Sequence, residues 1–199
     1  MLPNKYADMY FPVGILLSSN RALQDAKCGL AELEQRLKSR SVLLPQWKVS
    51  WIGICAILRA AIHLLQQDAK SCMNNDLCQS LQNEWDVIKR NREEHLIYWE
   101  FINKERNSVL KEYKWGAYEA YFDENGQEYL SRYGSAAATL LTAKSTALRI
   151  REGYFKGADA QYILRSATDW VEARITNAVS ASGFSIEDRV HFRTWAKQA

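Results

Sequence analysis

The residues of this chain best suited to chemistry interrupt an apolar helical stripe. Leu81, Trp85, Ile88, Arg92, His95, Trp99, Ile102, Arg106, Val109 and Tyr113 alternate in steps of four and three. That spacing keeps one face of a helix toward a partner surface. Arg92, His95 and Arg106 on such a face need an ion pair, water or a ligand, because unpaired buried charge is costly. Their types are those of anion binding and of proton transfer near neutral pH.

The same stretch holds two R-N-x-x-x-[HK] hexapeptides, Arg90–His95 and Arg106–Lys111. The second is preceded by Phe101-Ile102 and followed by Glu112-Tyr113. It resembles the R-N-x-x-x-H motif of the HEPN superfamily of small helical bundles, over about residues 18 to 118 in architecture and about eight residues in letters. The resemblance implies RNA binding or metal-independent endoribonuclease activity at a homodimer interface, of the toxin–antitoxin or phage-defence kind. It equally admits a catalytically inactive helical scaffold that holds a protein partner. On the nuclease reading His95, Arg106 and Asn107 are the catalytic set. Histidine takes the ribose hydroxyl proton and guanidinium steadies the phosphate. Arg92, Lys111, Arg59 and His63 are then the substrate-binding residues, the last two facing the others from the preceding helix or from a second subunit.

Lys111 stands where the family has histidine. A lysine of ordinary pKa, about 10.4, is protonated at pH 7 and suits phosphate binding rather than base catalysis. In the first hexapeptide, on a continuous helix, Arg90 points about 140° away from His95, whereas Arg92 shares its stripe.

Structural roles stand beside each of these. His95 on an apolar stripe fits a satisfied core or interface histidine, Arg92 a pair with a neighbouring carboxylate, and Arg106-Asn107 a hydrogen-bond network between helices. Arg59 and His63 fit the rim of a buried helix, and Lys111-Glu112 a solvated pair. Tyr98, Trp99, Phe101, Tyr113, Trp115, Tyr118, Tyr121 and Phe122 are candidate stacking faces for unpaired bases, or core. No phosphate-cradling glycine loop, G-x-S-x-G, H-E-x-x-H or helical E-x-x-H cage occurs. No cofactor is implied.

The elements that position these residues read as an all-α bundle. A first helix is predicted over about residues 18 to 39, capped by Ser18 or Ser19, and a second, apolar over most of its circumference, over about 48 to 70. A third long helix, about 77 to 118, follows an Asn75 or Asp76 cap, with a break expected near 103 to 107. Asn125-Gly126 between aromatics marks a small hairpin or a helix-ending loop. Further helices are predicted over 135 to 151, 159 to 180 and 185 to 197, the last from the capping-box-like Ser185-Ile186-Glu187-Asp188. The economical organisation is one helical domain, residues 1 to 199, whose core spans 18 to 118 and whose part from 120 to 199 packs on it.

Nine Gly and three Pro among 199 residues agree with short loops and dominant helix. A net charge of +3 is too mild to demand nucleic acid and is compatible with it. Cys28, Cys55, Cys72 and Cys78 lack metal-ligand spacing, and Cys55 reads as a small hydrophobe. The apolar run from Val49 to Leu65 is broken by Arg59 and His63 and reads as core rather than membrane span. With no recognisable secretory signal, a cytoplasmic location is expected.

Overall fold

A computed structural model describes residues 9–38, 46–72, 74–129 and 143–198. The chain is mostly helical. Short strand β1 (Tyr10–Pro12) and a single turn α1 (Val13–Leu16) lead into α2 (Ser18–Lys38). Leu23, Ala26, Leu30 and Leu33 of α2 are buried in the expected rhythm. Its cap comes from far away. The Ser18 and Ser19 N–H groups donate to the Asp68 carboxylate at 3.1 and 2.9 Å, and Ser19 Oγ adds a third bond at 2.6 Å. A buried carboxylate there satisfies open helix N–H groups and meets the positive end of the helix dipole.

Helix α3 (Gln46–Ser71) carries Asp68 and supplies the largest share of the core, including Trp51, Ile54, Cys55, Leu58, Ile62 and Leu65. By length and composition Trp47–Ser71 is apolar enough to cross a membrane, with a mean hydropathy of 1.6. In this fold α3 instead packs against α2, α4 (Asn75–Arg90) and α6 (Ala160–Ala181). Asn74, one residue before the expected cap, accepts the Leu77 N–H at 2.9 Å and opens α4.

The long third helix is not continuous. Helix α4 stops at Arg90, and a turn through residues 91–95 follows, with Glu94 N–H on Asn91 O and His95 N–H on Arg92 O. Next come a π-helical segment (Ile97–Ile102) and α5 (Asn103–Glu112). Tyr113 takes φ 52° and its N–H caps Val109 O, so residues beyond it leave the helix.

Strands replace three stretches expected to be helical or undecided, so the all-α class is corrected to mostly helical with two small antiparallel sheets. β2 (Ala117–Phe122) takes the last residues assigned to the third helix. It turns through Asp123, whose carboxylate accepts the Asn125 and Gln127 N–H groups, and pairs with β3 (Glu128–Tyr129) as a hairpin. β4 (Ser145–Ile150) pairs with the other edge of β2, in register Ala117–Ile150 to Phe122–Ser145. Its Thr146, Leu148 and Ile150 alternate toward the helices, a period of two that outweighs the helical propensity of the segment. The remainder of the expected helix over 135 to 151 lies largely outside the described residues.

Helix α6 opens on Asp159, whose carboxylate accepts the Tyr162 N–H, and ends before Gly183 at φ 78°, a conformation glycine adopts without Cβ strain. The final helix is absent. Asp188 does accept the Ser185 N–H, as a capping box would have it, but the contact closes a turn. Strand β5 (Arg189–His191) then pairs antiparallel with β1 and buries Val190. One apolar cluster joins residues from Val13 to Trp195, so the C-terminal segment shares the core with α2, α3 and α4.

Candidate functional site

The structure disperses the residues of the interrupted stripe. His95 is 4% exposed. Its Nδ1 accepts Trp170 Nε1–H at 3.2 Å, which puts the proton of the neutral ring on Nε2, and Nε2 is buried without a partner among the described residues. Burial, with help from the Arg174 guanidinium, holds the His95 pKa below its ordinary value, against an opposing pull from Glu94. Arg174 itself is in an ion pair with Glu84 at 2.9 Å. His95 is therefore a buried histidine held by Trp170, in surroundings that disfavour its charged form.

The cations lie elsewhere. Arg92 is exposed and stacks over Trp99 at 4.5 Å from the ring centroid, while Trp99 Nε1–H donates to Ile88 O. Arg106 Nη1 donates to Asn107 Oδ1 at 2.9 Å, and Lys111 is exposed in the last turn of α5. Arg59 does face the third segment, its Nε donating to Asn103 Oδ1 at 3.2 Å and its guanidinium lying over Tyr98. His63 is exposed beside Gln67. Among the described residues no hydrogen bond or ion pair joins either histidine to Arg106 or Asn107.

Besides His95, the buried polar residue of this region is Glu105, which the spacing argument passed over. Counting four-three steps through an unbroken helix puts Arg106 on the inner face. Tyr98, Phe101, Ile102, Glu105 and Val109 are the buried positions, so Ile102 and Val109 of the stripe hold their places while Tyr98 replaces Trp99 and Glu105 replaces Arg106 between them. Glu105 is 7% exposed. Its Oε1 accepts Trp51 Nε1–H at 2.5 Å and Gly116 N–H at 2.7 Å. A Cβ on Gly116 would lie 2.4 Å from Oε2, so only glycine leaves room for the carboxyl. Burial raises the Glu105 pKa; the two hydrogen bonds oppose that rise and nearby Glu152 adds to it. Beside it is a pocket of about 240 Å³ walled by Phe101, Trp115 and Phe155. A polar position at i+3 from Ile102 and i−4 from Val109 was the available signal, since ordinary helical spacing puts Glu105 beside the same stripe as Arg106.

The three-stranded sheet has two unlike faces. Ala117, Leu148 and Ile150 point into the core. Glu119 on that side accepts Trp47 Nε1–H and, at 2.6 Å, the Tyr121 hydroxyl. The alternate residues form the outer face, where Tyr118 lies opposite Arg149 and Phe122 opposite Ser145. The Arg149 guanidinium lies 5.6 Å from the Phe122 ring and that of Arg151 lies 5.8 Å from Tyr118. Tyr118 and Phe122 are half-buried, and Tyr118 OH donates to Glu128 at 2.9 Å. Of the other candidate stacking residues, Tyr98 is locked against Trp170 and Phe101 against Trp51 in the core.

No family model matches this chain, no curated protein sequence matches it, and no solved structure matches its fold.

Proposed function

We propose that the protein binds single-stranded RNA on the outer face of the β3–β2–β4 sheet, a reading that keeps the RNA expectation of the HEPN-like motif and a cytoplasmic site of action. The observation that carries it is the pairing of two aromatic rings with two guanidinium groups on one sheet face, Tyr118 with Arg151 and Phe122 with Arg149. Rings stack on unpaired bases without regard to sequence, and guanidinium both extends the stack and meets phosphate. A twisted antiparallel sheet spreads such groups at spacings a flexible strand can follow. Binding, rather than cleavage through His95, is the activity supported, because His95 is buried and hydrogen-bonded to Trp170.

Fluorescence polarisation with a labelled oligouridylate of about 12 nucleotides, over a salt series, tests this. Stacking on aromatic side chains contributes about 1–3 kcal/mol per base. The double variant Tyr118→Ala/Phe122→Ala is therefore expected to weaken binding at least about tenfold. Arg149→Gln with Arg151→Gln should flatten the salt dependence. RNA held in EDTA should stay intact. Equal affinity of wild type and both double variants would refute the reading, and cleavage abolished by His95→Ala would overturn the placement of His95 in the core.

A further inference from the structure

We propose that His95 and Trp170 form an acid-sensitive latch: the neutral His95 ring holds the turn at residues 91–95 against α6, and protonation of that ring releases the turn. RNA binding on the sheet uses other residues and is not required for it. The indole decides which atom donates. Trp170 Nε1–H can only donate, so His95 Nδ1 accepts at 3.2 Å and the single proton of the neutral ring is on Nε2. An imidazolium carries a proton on both nitrogens. Its Nδ1–H would meet the Trp170 N–H, donor against donor, and the hydrogen bond would be lost outright. Nε2 offers no compensation, being buried without a partner among the described residues. With the ring residue 4% exposed, water reaches neither nitrogen unless the turn moves.

The charges around His95 give an imidazolium little support. From α6 the Arg174 guanidinium opposes it, and Glu84 of α4 is already paired with that guanidinium at 2.9 Å. Tyr98 of the π-helical segment is a neutral ring whose hydroxyl burial keeps protonated. Arg59 of α3 brings a second guanidinium to within 5.7 Å of the Tyr98 centroid. Glu94 pulls the other way, from an exposed position on the turn itself. The open turn therefore takes up a proton before the closed one does. Closure is fully favoured above the ordinary histidine value of about 6.5 and loses ground as pH falls below it.

The backbone allows the movement. Residues 91–94 are exposed and lie between the end of α4 and the π-helical segment, where the helical ladder is interrupted. Toward α6 the His95 ring is edge-on to Trp170 with centroids 5.6 Å apart, and Tyr98 stacks on the same indole at 5.5 Å and 15°. Release gives the imidazolium water and uncovers Tyr98, which is 2% exposed in the closed form.

Hydrogen exchange of the full chain, followed by NMR at about pH 7.5 and about pH 5 and corrected for intrinsic exchange rates, tests the latch. The opening constant at the Trp170 indole N–H and at the amides of residues 95–99 should rise at least about fivefold in acid, reversibly, while the amides of α2 and α3 keep their protection. His95→Asn keeps a side-chain acceptor for Trp170 and does not titrate, so it should stay closed at both pH values. In the wild type the ring-proton shift of His95 should titrate with the same midpoint as the Trp170 indole signal, a readout that needs no variant. An equal acid response in His95→Asn, different midpoints for the two wild-type signals, no wild-type response, or loss of protection throughout α2 and α3 together with residues 95–99 would overturn the latch.

Discussion

Replacing Gly116 by alanine is a one-carbon change whose effect should come almost entirely from Glu105. The backbone at Gly116 is in a region open to any residue, so in isolation alanine would add about 0.4–1 kcal/mol of stability by stiffening the unfolded chain. In place, the new Cβ falls 2.4 Å from Glu105 Oε2, well inside contact distance. The carboxyl must rotate away, and rotation breaks its bonds to Trp51 Nε1 and to the Gly116 N–H. Trp51 is 0% exposed, so its indole N–H would be left without water or acceptor. An orphaned buried donor costs about 1–3 kcal/mol and bonds to a charged group are worth about 1.5–3 kcal/mol each. Escape of the freed carboxylate toward the pocket offsets part of this, leaving a net loss of about 2–4 kcal/mol. For a chain of this size that lowers the melting temperature by roughly 5–15 °C. Urea denaturation of wild type, Gly116→Ala, Glu105→Ala and the double variant closes a thermodynamic cycle. Coupling of at least about 1.5 kcal/mol is expected, with Gly116→Ala neutral or mildly stabilising once Glu105 is gone. If Gly116→Ala costs the same with and without Glu105, the close approach described here does not exist in solution.

Other outcomes follow from the same geometry. Asp68→Ala removes three hydrogen bonds from the start of α2 and should cost about 2–4 kcal/mol by chemical denaturation, whereas an effect below about 0.5 kcal/mol would mean that water caps the helix equally well. Arg174→Gln removes one of the two causes that depress the His95 pKa, so an NMR titration should find it raised but still below the ordinary value because burial remains; no change would exclude Arg174 as a cause. The Glu105 carboxyl titrates above its unfolded value, so between the two the native state holds more protons and stability falls as pH rises through that window. Glu105→Gln lacks this loss. Its stability relative to wild type should therefore improve as pH rises above the ordinary glutamate range, and a flat or opposite trend would refute the raised pKa.

The helices around the core were legible because each carries its own long apolar rhythm. α2, α3 and α6 lie where Leu23 to Leu33, Trp51 to Leu65 and Ile163 to Val179 put them. What the pattern missed was local. Periodicity carried through residues 91–102 assumes 3.6 residues per turn, but the chain there makes a turn and then a π-helical segment; beyond it Ile102 and Val109 are buried as the stripe expects. Between them the chain buries Glu105 rather than Arg106, two residues that flank that stripe at i+3 and i+4 from Ile102, and with that choice an anionic group replaces a cationic one. The sheets were missed for another reason. Six-residue strands such as Ser145–Ile150 show only three inward positions, too few to outweigh neighbouring alanines and leucines in a helical reading. Ser185 to Asp188 shows that a capping-box pattern defines a local turn, while a tertiary partner, here β1, decides whether a helix grows from it. The partner of His95, Trp170, lies 75 residues away and left no mark in the local sequence.

Because Tyr10–Pro12 is zipped to Arg189–His191, two segments far apart in the chain depend on each other. The Val13 and Gly14 amides wait for the carbonyls of Asp188 and Ile186, which a ribosome delivers more than 170 residues later. Until then neither amide has that partner, and Val13, fully buried in the fold, lacks its C-terminal neighbours in the core. Residues 10–14 therefore complete their pairing only through contacts of very long sequence separation, which places the closure of this segment late in folding.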